Sequence, residues 1–179
     1  MALTLDYPIP GDHSTERVFL SLWRDVSNVA ELSAALRSQT ANFSFALVDA
    51  QVALDSFQLL AAAHRAVQAA AHDQLRTRNI YSEIIYCLSP EIHIAEAYTR
   101  YGLSPSTRHV VAVGVGIDPT KFDQEVQATI EGTQVPMAGL GKFTNIALVR
   151  QYYKVPESIQ SHDPLVNAVV GSIALKGYK

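Results

Sequence analysis

Residues 76–103, RTRNIYSEIIYCLSPEIHIAEAYTRYGL, restrict the fold more than any other stretch, because an apolar run, a stop signal and an amphipathic segment follow one another without a spacer. Ser89-Pro90 reads as a helix cap followed by a first-turn proline, whose fixed φ and missing N–H suit that place. Ile94, Ala97, Tyr98 and Tyr101 recur at three- and four-residue steps, the spacing of one helical face. Gly102 fits the left-handed position beyond a helix end, with Leu103 folding back on Tyr98. By composition alone, 80–88 is strand-like. The stretch holds no catalytic triad, metal set or phosphate loop.

The remaining chain supplies alternating strand and helix signals. Residues 1–16 read as a flexible arm, and 17–179 as one domain of a size that buries most of its apolar surface. Residues 17–23 (RVFLSLW) are rich in β-branched and aromatic types and predict a first strand. A helix is expected over 28–37, with Asn28 and Glu31 as a capping pair and Val29, Leu32 and Leu36 as its stripe. After a short strand at 45–49, Asp55-Ser56 opens an alanine-rich helix to 73, with Phe57, Leu60, His64, Val67, Ala71 and Leu75 along one side. The near-continuous apolar run at 108–115 predicts a central strand covered on both faces. Asp118-Pro119 caps a helix that carries Phe122, Val126 and Ile130 and ends at Gly132, and 133–137 is a short edge strand closed by Pro136. Helices over 145–153 and from Asp163-Pro164 complete the chain. The last carries Leu165, Val166, Val169, Val170 and Ile173, more apolar residues than one face holds. These signals give the α/β (α+β) class: one domain, a small sheet and several helices around it.

The chain is 48% hydrophobic and 17% charged with a net charge of −3, so nothing predicts disorder, and any RNA contact must come from a local basic patch rather than a global field. Cys87, the single cysteine, excludes an internal disulfide and sits in an apolar run as a buried, inert thiol. The amino terminus is interrupted by prolines and acids too early for a secretory signal, and no apolar run approaches the ~20 residues a membrane span needs. A reducing compartment is expected, with the sequon Asn42-Phe43-Ser44 unused.

Known chemistry fails at identifiable positions. Gly114-Val115-Gly116 begins like a dinucleotide fingerprint but lacks the third glycine and meets Pro119. Gly139-Leu140-Gly141-Lys142 echoes a phosphate loop, yet Pro136 stands where the first glycine belongs and Phe143 where the Ser or Thr belongs. No His or Cys pair has metal-ligand spacing, so no metal or cofactor is expected. Glu83, Glu91 and Glu96 read as solvated helix faces and caps, and His64 as a half-buried packing residue. What remains is surface: the surplus apolar stripe of the last helix, and arginines at Arg65, Arg76, Arg78, Arg100 and Arg108 around two turns.

The segment TRNIYSEIIYCLSPEIHIAEAYTRYGL, preceded by DSFQLLAAAHRAV and followed by an apolar strand, resembles the small kinase-binding subunit of the KEOPS (EKC) complex, the TPRKB-like family. LWRDVSNVAEL and TNIALVRQYYKV are weaker echoes in the same order, whereas the GLGKF stretch matches no family feature. The resemblance implies a small, mainly antiparallel sheet wrapped by helices, and makes 82–88 a helix that forms a hairpin with 92–101. It implies no catalysis by this chain. It implies binding to the N-terminal lobe of the complex's small atypical kinase, in an assembly that makes threonylcarbamoyladenosine in tRNA and is also linked to telomeres and transcription. A nuclear and cytoplasmic location, expected from the reducing compartment, and a monomer outside the complex go with this reading. It places the kinase contact on Leu165, Val169, Val170 and Ile173 with the adjoining Ile84, Ile85 and Leu88. Family members also help to hold the tRNA 3′ CCA end, for which Arg65, Arg76 and Arg78 are the candidates. Two other readings stay open: an independent tRNA-binding module or adaptor outside that complex, and an enzyme without a local motif.

Overall fold

A computed structural model describes residues 3–6, 17–38 and 42–177. In chain order its strands are β1 (Leu3–Asp6), β2 (Arg17–Arg24), β3 (Ala46–Asp49), β4 (Val110–Val115) and β5 (Thr133–Val135). The helices are α1 (Val29–Ser38), α2 (Ser56–Ala71), α3 (Ile80–Leu88), α4 (Ile94–Tyr101), α5 (Pro119–Thr129), α6 (Ile146–Tyr153) and α7 (His162–Ala174).

Alternation along β2 explains why helices cover both sides of the sheet. Val18, Leu20 and Leu22 join one apolar cluster with side chains of α2, α3, α6 and α7. Phe19 and Trp23 join a second, with Val29 and Leu32 of α1 and Phe122 and Val126 of α5. β4 lies between β2 and β3 with all six residues buried, as its apolar run predicts. Every pairing is antiparallel: Val18 faces Val115 across β2 and β4, and Ala46 faces Val113 across β3 and β4. The other edge of β2 takes β1 along Arg17–Leu20 and β5 along Leu22–Arg24. Leu3–Asp6 is therefore paired strand, which the reading of 1–16 as an arm did not expect; 1–2 and 7–16 lie outside the described residues. The class is α+β, with a small antiparallel sheet wrapped by helices.

Several local expectations are corrected by packing. The buried face of α2 is Gln58, Leu59, Ala62, Ala63, Ala66 and Val67, while Phe57 and Ala71 are exposed. Gln58 draws this face inward: its Oε1 accepts from Leu54 N at 2.6 Å, and its Nε2 donates to Val52 O at 3.2 Å and Tyr153 Oη at 2.9 Å. Asn28 does not pair with Glu31 as a cap. Its amide instead accepts from Glu131 N and donates to Thr129 O, tying the start of α1 to the end of α5. Gly114 explains the apparent dinucleotide glycines, since a Cβ there would stand 2.6 Å from the Phe122 ring that packs on the sheet. Gly116, at φ +63°, then turns the chain out of β4.

The opening stretch is a helical hairpin, α3 and α4, as the resemblance implies and as composition does not. Asn79 caps α3 by accepting from Ser82 N at 2.9 Å. Ser89 does not start the next helix. Its hydroxyl accepts from Glu91 N at 3.1 Å within a single turn, and α4 begins only after His93. Gly102 is not left-handed either, with φ −78° and ψ −172°. Glycine is required there by close approach: a Cβ would stand 2.6 Å from Tyr98 O. Tyr101 is buried beneath the hairpin with ring centroids 5.8 Å from both Tyr152 and Tyr153, and Tyr153 Oη donates to Leu88 O at the end of α3.

Candidate functional site

The turn between α2 and α3 carries exposed arginines because its backbone is held from below. Glu83 is only 2% exposed, and its Oε2 accepts from Arg76 N at 3.0 Å, Thr77 N at 2.8 Å and Thr77 Oγ1 at 2.7 Å. The solvated glutamate expected from the sequence is thus an internal clamp. Glu91 and Glu96 form ion pairs, with Lys154 at 2.6 Å and with Arg100.

Above this turn lies a groove of about 680 Å³. One wall is the end of α1 with Leu36, Arg37 and the neighbouring Asn42 and Phe43. The other is Thr77, Arg78 and Asn79 with Tyr81 and Ser82 of α3, and α4 adds Ile94, Tyr98 and Thr99. Ile94 and Tyr98, expected on the packing face of α4, line the groove and are 37% and 38% exposed, while Ala97 and Tyr101 of the same stripe are fully buried. Among the described residues the charged side chains that line it are Arg37 and Arg78, with no acid, on a chain of net charge −3. Aromatic faces, amide groups and two guanidinium ions around an open slot match what a single-stranded nucleic-acid end needs: stacking surfaces and phosphate donors.

The three candidate arginines separate. Arg78 lines the groove and Arg76 is exposed two residues earlier. Arg65 is engaged elsewhere: Nη1 donates to Ile173 O at 3.0 Å and Ala174 O at 2.8 Å, and Nη2 to Lys176 O at 2.9 Å, so it closes the carboxy end of α7. Lys176 completes that fastening. It is 4% exposed, with Nζ 3.1 Å from the Tyr86 ring centroid and donating to Tyr86 O, and burial brings its pKa down to about 8. Arg37 is the groove residue that sequence reasoning missed, since it sits far from Arg78 in the chain and on an ordinary solvated helix end.

The apolar candidates also separate. Ile84, Leu88, Val169 and Ile173 are fully buried and Leu165 and Ile85 nearly so, all within one core cluster. The surplus stripe of α7 is covered by α2 of the same chain. These side chains belong to the core, and on the outer side of α7 Val170 is half-buried and Leu175 is 63% exposed. Cys87 is buried as expected, and burial pushes its thiol up to about 11. His64 is half-buried, and burial lowers its pKa. Among the described residues no group of three His, Cys, Asp or Glu side chains is placed to hold a metal, and no helix is long and apolar enough to cross a membrane.

Residues 23–177 match the family described as Kinase binding protein CGI-121. Over 98% of its length the chain is 33% identical to the "EKC/KEOPS complex subunit CGI121" of Gibberella zeae, of which 97% is covered. The "EKC/KEOPS complex subunit cgi121" of Neurospora crassa is 35% identical over 94% of this chain and 95% of its own. The "EKC/KEOPS complex subunit TPRKB" of Danio rerio is 30% identical over 98% of both. With the match spanning both faces of the sheet, the hairpin and α7, the chain belongs to the CGI-121 family of kinase-binding proteins.

Proposed function

We propose that this chain is a non-catalytic subunit of the KEOPS (EKC) complex, which binds and regulates the complex's small atypical kinase and helps to hold the 3′ CCA end of tRNA for threonylcarbamoyladenosine formation. The observation that carries the kinase reading is the match to a kinase-binding family across 23–177, joined by relatives named as subunits of that complex. The kinase's N-terminal lobe docks on the outer side and carboxy end of α7, where Val170 and Leu175 offer apolar surface. Burying such side chains contributes ~1.5–3 kcal/mol each before association costs. Leu175→Glu is expected to reduce capture of the kinase at least ~10-fold with an unchanged melting temperature, as read by pull-down and calorimetry. Unchanged capture removes the contact from this end of the helix.

The RNA part rests on the groove, where Arg37, Arg78, Tyr81 and Tyr98 line a slot that has no acid among the described residues. Filter binding with tRNA ending in CCA and with tRNA lacking it tests this. The full-length RNA is expected to bind more tightly, and Arg78→Ala to weaken it ~3–10-fold while lowering the salt slope by about one. Equal binding of both RNAs contradicts the groove assignment. Action in the nucleus and cytoplasm belongs to the same proposal, with which a lone buried thiol is compatible.

A further inference from the structure

We infer that Glu83 is a positioning residue for RNA held in the groove, fixing the 76–79 turn so that Arg78 and Asn79 stand ready before the RNA arrives. The inference rests on the RNA reading of the groove given above. Three donors converge on a single carboxylate oxygen, two of them backbone amides of the turn, and the glutamate is 2% exposed and does not itself line the slot. A backbone turn of this kind is ordinarily satisfied by its own Asn, Ser or Thr side chains. Here the Asn79 side chain caps α3, and the Thr77 hydroxyl donates to the same carboxylate with Asn79 O a second partner at 3.2 Å, so the Arg76 and Thr77 amides are served by Glu83 from the next helix.

A buried charge is a costly way to order a loop, and its return is rigidity where charge-assisted hydrogen bonds leave the backbone one conformation. Rigidity matters at this place because Thr77, Arg78 and Asn79 form one wall of the groove. An arginine on a loose turn must be ordered when it takes a phosphate, and that ordering is subtracted from affinity. Glu83 removes the loss in advance. It touches no ligand itself, since it lies beneath the turn, and it acts through Arg78 and its neighbours.

The test is a double-mutant cycle on the full chain bound to its kinase, read by affinity for tRNA ending in CCA. Glu83→Ala is expected to weaken binding about tenfold, and Glu83→Gln, which keeps a carbonyl acceptor, to recover most of it. In the Arg78→Ala background Glu83→Ala is expected to add less than about twofold, because the residue that it positions is already gone. Kinase capture reports folding in every variant and is expected to stay unchanged. Thr77→Val, which removes one of the three donors and leaves both amides, repeats the cycle with a milder change and is expected to weaken binding two- to threefold. Equal affinity of wild type, Glu83→Ala and Thr77→Val, or full additivity with Arg78→Ala, overturns the inference while leaving the groove reading intact. No preference of the wild-type chain for CCA-ended RNA overturns the groove reading, and the inference with it.

Discussion

Val169→Glu is expected to lower the melting temperature by about 6–20 °C and to favour aggregation. Val169 has no exposed surface and packs in the main core cluster, where α7 lies on α2. A carboxylate there is buried without a partner, and such a change costs about 3–5 kcal/mol, a large part of a typical domain stability of about 5–15 kcal/mol. Protonation relieves the cost only in part, since the cavity shape no longer fits. Ile173→Glu behaves alike, as its side chain is equally enclosed. Far-ultraviolet circular dichroism with thermal melting checks this; a native melting curve for Val169→Glu places the side chain on a surface and contradicts the packing described above. Loss of kinase capture by these two variants therefore reports loss of fold, and Leu175→Glu is the variant that reports the contact.

Arg65→Ala is expected to lower the melting temperature by about 5–10 °C. The guanidinium serves the carbonyls of Ile173, Ala174 and Lys176 at the end of α7, a favourable place for a cation beside the helix dipole. Hydrogen bonds to charged groups contribute about 1.5–3 kcal/mol each in isolation, and their shared donor and partial exposure reduce the sum to about 2–3 kcal/mol. For a chain of this length each kcal/mol moves the midpoint by about 2–4 °C. Arg65→Lys is expected to recover less than half, because an ammonium cannot span three carbonyls as a planar fork does. Differential scanning calorimetry decides it, and a midpoint within 1 °C of wild type rules the capping role out.

The elements that follow periodicity were legible in the sequence. β4 is central because its apolar run needs cover on both faces, and α5 is fixed by Asp118, which accepts from Thr120 N and Lys121 N, with Phe122 and Val126 facing inward. Helix α3 was legible only through family resemblance. Its Ile and Tyr residues favour a strand in isolation, and tertiary packing of Ile84, Ile85 and Leu88 against α2 overrides that preference. Of the stripe expected for α2 only Val67 lies on its buried face, because an alanine-rich helix has little hydrophobic contrast, and the side chain that settles the rotation is the polar Gln58. Glu83 was read as solvated for a related reason: its partners are backbone amides of another turn, and no side-chain pattern announces them. The groove was half legible. Arg78 is among the candidates, whereas Arg37 comes to it through the apolar cluster that Val29 and Leu32 of α1 share with Phe45 and Leu47, a relation between distant parts of the chain.

Affinity capture with the tagged full chain, read by mass spectrometry, tests the kinase-binding subunit assignment most directly. A small atypical kinase is expected as the most enriched protein, staying bound through a wash at 0.5 M salt as an apolar contact should, and Leu175→Glu is expected to remove it. A native, correctly melting chain that enriches no kinase contradicts the account.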